Sequence, residues 1–174
     1  KNYTDSIKKK VRTFSDVSNE PIVLTDDKGR IWHCNTAWEK MCGYTRTQVI
    51  GKTNKILQGP ETNKLQAHDM VKTLRSGEQE AHIQIYNYKA SGQGFWNDLY
   101  VYGYVHENDL EGALPDYHVA FLREMPSQKL TATDEKKILS QRTKEIIELK
   151  RLMSQCQLKG TLSFGMRAGT MIIG

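Results

Sequence analysis

Residues 86–98 read YNYKASGQGFWND, two aromatic runs broken by a small polar stretch. On either side, EAHIQIYNYK (80–89) and GFWNDLYVYGYV (94–105) are rich in aromatic and β-branched residues. Ala90-Ser91-Gly92-Gln93 between them is a good hairpin loop, so the segment reads as two antiparallel strands. A loop centred on Gly92 makes opposite residue numbers sum to about 184, which pairs Asn87 with Asn97, Ile85 with Leu99 and Ile83 with Val101. Side chains alternate with period two, so both asparagines fall on the face of the isoleucines, leucine and valine. Inward carboxamides are costly unless hydrogen-bonded. Either they satisfy each other, a water or nearby backbone, or they form the polar end of a ligand pocket with Ile and Leu walls.

Upstream, GKTNKILQG (51–59) is too polar for a core helix and too apolar for a plain loop; its Gln58 is a third amide of the same kind. DSIKKKVRTFSDVS (5–18) places Ile7, Val11 and Phe14 at helical spacing with lysines opposite, an amphipathic helix laid on something else. PIVLTD and RIWHC around the turn DDKG (26–29) suggest a second hairpin. Asn35 caps NTAWEKMCGY, Thr45 caps TRTQVIG, and Gly51 ends that piece. PETNKLQAHDMVKTLRSG (60–77) reads as a helix starting near Pro60, with Leu65, Met70, Val71 and Leu74 apolar and Gly77 as stop.

Downstream, a polar connection through Asn108-Asp109, Gly112 and Pro115 leads to the strand DYHVAFLRE (116–124). Two strands, several short helices and three strands make an α+β domain: an antiparallel sheet with helices on one face. From Ser127 the composition shifts. TDEKKILSQRTKEIIELKRLMSQCQL (133–158) is a helix in which Leu139, Ile146, Leu149, Met153 and Cys156 follow a heptad pattern broken by Arg142. Three heptads suit a dimer seam and a helix docked on its own sheet about equally. The expected organisation is an N-terminal flanking helix (1–20), a core (21–126), a C-terminal helix (127–158) and a Gly-rich tail (159–174) that is disordered or starts a further segment.

The net charge of +5 balances 25 basic against 20 acidic residues, and no basic block is interleaved with aromatics, so nucleic acid is not an expected partner. No run approaches the roughly 18–20 apolar residues that span a membrane. Cys34, Cys42 and Cys156 form no CxxC pair, which argues against zinc and disulfides and for a reducing, intracellular setting, cytoplasmic or nuclear. Asn2-Tyr3-Thr4 fits a glycosylation sequon by chance, and Lys1 in place of Met suits an excised piece of a longer protein. Neither a catalytic constellation nor metal-ligand spacing is present, so an enzyme is not expected.

With GKTNKILQGPETN and YNYKASGQGFWND in this order of elements, residues 20–125 resemble the PAS family and, within it, the flavin-binding LOV branch. That signature reads G-x-N-C-R-F-L-Q-G, then N-Y-x-x-x-G-x-x-F-W-N. It is matched here through Gly51, Leu57, Gln58, Gly59, Pro60, Thr62, Asn87, Tyr88, Gly92, Phe95, Trp96 and Asn97. The resemblance implies a PAS fold with a five-stranded antiparallel sheet and flanking amphipathic helices. It also implies a pocket formed by Val23, Thr25, Asn54, Lys55, Leu57, Gln58, Asn87, Asn97, Leu99 and Leu122.

The departures bear on function. The family's reactive cysteine falls on Asn54, and an amide is no nucleophile, so no cysteinyl–flavin adduct forms there. Lys55 replaces a phosphate arginine, keeping charge and losing bidentate geometry. The second phosphate arginine falls at Val71, near the alternative cations His68, Lys72 and Arg75, and the signalling glutamine falls at Leu122. His118 and Ala120 share the face of Leu122; Cys34 and Cys42 read as small core hydrophobes. The expectation is a non-enzymatic signalling and interaction module, dimeric or partner-bound through its flanking helices. Its cofactor is none or weakly bound FMN. The alternative is an FMN-binding sensory domain without adduct chemistry.

Overall fold

The computed structural model describes residues 3–104, 117–127 and 131–168, with side chains for 6–104, 117–127 and 131–155. Among the described residues eleven elements form one antiparallel sheet with helices on both faces. Helix α1 (Tyr3–Val17) precedes the hairpin β1 (Ile22–Asp26) and β2 (Ile31–Cys34). Then come α2 (Thr36–Cys42), α3 (Arg46–Val49), a 3-10 turn (Asn54–Leu57) and α4 (Lys64–Arg75). Strands β3 (Glu80–Tyr88), β4 (Gly94–Tyr104) and β5 (Tyr117–Glu124) lead to α5 (Ala132–Ala168). Strand order is β2-β1-β5-β4-β3, every pairing antiparallel. The polar connection through Asn108, Asp109, Gly112 and Pro115 lies outside the described residues.

Each sheet face buries its own core, because strand residues alternate sides. The inner face carries Val23, Val101, Ala120 and Leu122 against Trp38, Val49, Leu57 and Leu74 of the short helices. The outer face carries Ile22, Leu24, Val119 and Phe121 against Ile7 and Val11 of α1 and Leu149 and Met153 of α5. Of the two readings open for α5, these contacts support the helix docked on its own sheet. Leu149 (0% exposed) and Met153 are buried against their own sheet, Ile146 packs beside them, and Leu139 is 61% exposed. The side chain of Cys156 lies outside the described residues. The helix also runs past the expected end at 158, through Ala168, into the segment expected as a tail.

Asn35 is more than the expected helix cap. Its Oδ1 accepts from the Ile22 and Trp38 amides, while its Nδ2 donates to the carbonyls of Ser15 and Glu20. One fully buried carboxamide thus ties the end of α1, the start of β1 and the start of α2. Helix α4 starts at Lys64 under an Asn63 cap, after Pro60, because the Asn63 side chain accepts from the Gln66 amide. Its inward positions are Ala67 and Leu74 with Met70 half-buried; Leu65 and Val71, expected as apolar contacts, are exposed.

One buried and one half-buried histidine make stability depend on pH. His33 lies against the Asp16 carboxylate at 2.7 Å, and His118 is half-buried on β5. Burial lowers both pKa values from 6.5, outweighing the opposing Asp16 contact at His33. The unfolded chain therefore binds protons first as pH falls, and stability drops on going below about pH 6.5. Glu20, whose pKa burial raises, acts with opposite sign from about pH 4.5 upward. A urea midpoint lower at pH 5.5 than at 7.5, with a smaller difference in His118→Gln, is the expected result.

Candidate functional site

The hairpin pairs Tyr88 with Gly94, Asn87 with Phe95, Ile85 with Asn97 and Ile83 with Leu99. Partners sum to 182, not the expected 184, because the loop centres on Ser91: the Lys89 amide donates to the Gln93 carbonyl across it. The slip moves partners by two positions, which keeps the period-two parity. Both asparagines therefore stay on the inner face, as diagonal neighbours.

There they bond to each other. Asn97 Nδ2 donates to Asn87 Oδ1 at 2.9 Å, and Asn97 Oδ1 accepts from the Arg123 amide at 3.3 Å. Among the described residues Asn87 Nδ2 has only the carbonyl of its neighbour Tyr86, at 3.2 Å. Asn87 is 5% and Asn97 1% exposed, so water does little for either.

Residues 51–59 cross this face from one sheet edge to the other. At one end the Ile31 amide donates to the Lys52 carbonyl and the Gly51 amide to the Ile31 carbonyl, anchoring the stretch on β2. At the other, Thr62 Oγ1 accepts from the Gly59 amide and donates to the Tyr86 carbonyl at 2.7 Å, anchoring it on β3. Gly59 allows this approach: a Cβ there would run into the ring of Tyr88. The 3-10 turn between the anchors buries Leu57 and half-buries Asn54, whose Oδ1 has no partner among the described residues. Gln58 is half-buried and Lys55 exposed.

Four other residues expected at the pocket share the inner face by strand parity. Val23 pairs with Ala120 and Thr25 with His118 across β1 and β5, and Leu99 with Leu122 across β4 and β5. His118 Nε2 is buried without a partner among the described residues. The candidate cations His68, Lys72 and Arg75 are all exposed on α4.

Neither described cysteine replaces the missing thiol. Both are buried in the inner core; burial pushes the Cys34 thiol up to about 11 and the Cys42 thiol up to about 12. The reactive form is the thiolate, so both are inert at neutral pH. Among the described residues no group of His, Cys, Asp and Glu is arranged to hold a metal ion, and no helix is long and apolar enough to cross a membrane.

A family model described as PAS domain matches residues 19–123. The LOV domain of the Erythrobacter litoralis EL346 blue-light activated histidine kinase is 31% identical, with 97% of its length and 62% of this chain aligned at a TM-score of 0.54. The chain belongs to the PAS family, in its LOV branch. The Rhodobacter sphaeroides LOV protein shares the PAS fold over more of the chain. Its TM-score is 0.72 with 97% of this chain and 99% of that one covered, at 20% identity. Blue-light-activated histidine kinase 2 of Erythrobacter litoralis is 37% identical over 89 residues, half of this chain and 23% of that protein. Protein TWIN LOV 1 of Arabidopsis thaliana is 39% identical over 80 residues, 46% of this chain and 18% of that protein. This LOV-like PAS chain thus spans about a quarter or less of the curated relatives it matches.

What the sequence missed lies on the outer face. Asp98, Arg142 and His33 are buried polar groups; the one signal for them was Arg142, an arginine where the heptad wanted an apolar residue.

Proposed function

We propose that this LOV-like domain is a sensory module that takes a flavin such as FMN against the inner face of its sheet and works without a cysteine at position 54. The observation that carries the reading is a set of unspent polar atoms on the inner side of an otherwise apolar core. Asn54 Oδ1 and His118 Nε2 are buried with no partner among the described residues, and Asn87 Nδ2 has only a local carbonyl. An unmet buried polar group costs about 1–3 kcal/mol. A ring edge bearing donors and acceptors would meet Asn87 Nδ2 and its neighbour Asn97, so these two residues fit the group; His118 lies six residues further along β5, at the other end of the sheet.

In this reading Gln58, Asn87 and Asn97 bind and orient the polar ring edge. Leu57, Leu99 and Leu122 exclude water from its flanks, and exposed Lys55 holds an anionic end at the surface. A bound flavin would supply blue-light absorption and electron transfer. The names of the relatives, blue-light-activated kinases, support light as the signal. A kinase or other effector would lie outside this chain. Among the described residues, solvent-facing Val17, Leu139 and Ile147 are the large apolar positions left exposed on α1 and α5 for a second copy or a partner protein.

A second reading rests on the Asn87–Asn97 hydrogen bond and on Leu122, which has no amide to exchange with a ring: a flavin-free interaction domain on the same fold. The discriminating experiment is the absorption spectrum of purified protein reconstituted with FMN. A structured blue band that stays with the protein through gel filtration is the expected result; its absence favours the second reading. In the loaded protein, Asn54→Cys should give a reversible loss of that band under blue light, which the parent lacks.

A further inference from the structure

Strand β3 is one edge of the sheet, with β4 on one side and no strand on the other among the described residues. The Lys89 amide donates to the Gln93 carbonyl and the Gly103 amide to the Gln79 carbonyl, so odd residues of this arm turn their backbone groups toward β4. Even residues turn theirs off the edge. The Tyr86 carbonyl, which accepts from Thr62 Oγ1, shows that phase. Residues 59–62 cover the edge there, the Glu61 amide donating to Tyr88 Oη. Toward the start of the strand this cover ends. Among the described residues the amides and carbonyls of His82 and Gln84 have no hydrogen-bond partner. Open edges are commonly blunted by a proline or a bulge, yet β3 has no proline and its register with β4 is unbroken from Glu80 to Tyr88.

Helix α4 stands beside this open stretch and leaves a groove of about 410 Å³ between them. Leu65, Asp69 and Met70 line it from the helix, and Ala81, His82 and Ile83 from the strand. Leu65 is 70% exposed, while Met70, Ala81 and Ile83 are half-buried, so the floor is apolar. The Asp69 carboxylate has no hydrogen bond or ion pair among the described residues. Leu65 and Asp69 are four residues apart on the helix, which puts their side chains about 5–6 Å apart on one side. Alternate side chains of an extended strand also share a side, about 7 Å apart. A strand lying in the groove would therefore present one side chain to Leu65 and the next but one to Asp69.

We propose that the open edge of β3 docks one extended segment of a partner protein as a sixth strand, paired with the backbone of His82 and Gln84. An apolar side chain of that segment sits against Leu65, Met70 and Ile83, and a lysine or arginine two residues away meets Asp69. Main-chain bonds supply the affinity of such an added strand, and the alternate side chains its selectivity. A second copy pairing edge to edge about a two-fold axis would bring its own α4 and its own Asp69 to the same place. That sets like charges together and crowds one groove with two helices, whereas a basic, extended segment complements both the charge and the unpaired backbone. Asn54, Asn87 and Asn97 take no part, so docking at this edge needs no flavin.

The test is amide hydrogen exchange of the whole chain with millimolar acetyl-TITKT-amide, or with acetyl-TKTIT-amide for the opposite strand direction. One of the two should slow the His82 and Gln84 amides about tenfold and leave α5 unchanged. N-methylating that peptide at its odd residues or at its even residues should abolish the protection in one form only, because alternate amides face β3. Asp69→Lys should weaken the lysine peptide about fivefold and favour the same peptide with glutamate in its place. Gln84→Pro removes one outward donor at an exposed edge position, where proline is tolerated, and should abolish the protection of His82. No protection by either peptide overturns the proposal, as do equal effects of the two N-methylated forms. A parent that elutes as a dimer in gel filtration and a Gln84→Pro variant that elutes as a monomer would give the edge to a second copy and overturn it too. If Gln84→Pro fails to fold, the N-methylated pair still decides on the parent protein.

Discussion

Leu149→Asp should strip α5 from the sheet and cost at least about 3 kcal/mol, because it combines loss of a buried leucine with burial of an unpaired charge. Leu149 is fully enclosed, among Ile22, Leu24, Val119 and Phe121 of the outer face and Met153 of its own helix. Its surroundings belong to its own chain, so the loss should show as a lower thermal midpoint and faster exchange along α5. A particle mass halved in light scattering with the thermal midpoint intact would instead restore the helix as a seam between copies. Leu139→Asp, on the exposed side of the same helix, should leave the midpoint within about 0.5 kcal/mol of the parent, as surface changes generally do.

Asn35→Ala is expected to be nearly as damaging, at about 3 kcal/mol. The substitution strands two amides, Ile22 and Trp38, and two carbonyls, Ser15 and Glu20, in a region where Asn35 itself is 1% exposed. Each unmet buried group costs about 1–3 kcal/mol, and water entering the enlarged space recovers part of the sum. Asn35→Asp separates the halves of the effect: it keeps both accepted bonds and turns the donated ones into repulsions with carbonyls. A urea midpoint lowered in both variants at unchanged slope is the expected outcome. A midpoint for Asn35→Ala within about 1 kcal/mol of the parent would mean that a helix cap is its whole contribution.

The Arg142–Asp98 contact and the staple at Asn35 share a chemistry. In each, a side chain from one element satisfies backbone of another across the outer end of the sheet. The helices flanking the PAS core are thus fixed by polar contacts as well as by apolar burial.

The sequence by itself determined the order of elements, the sheet and the inward direction of Asn87 and Asn97. Those follow from short-range rules: hairpin residues at 90–93, period-two alternation, and caps at Asn35 and Thr45. Even a register misjudged by two left the asparagines on the right face, because parity survives a shift of two. Which surface α5 covers was not legible, since a heptad pattern records only that one side of a helix is apolar. Tertiary structure decided that Leu149 and Met153 meet their own sheet, and why Arg142 interrupts the pattern: its partner, Asp98, lies 44 residues away on β4. Pairing across such a separation depends on how the sheet and helix pack in space, and that leaves no local trace in the chain.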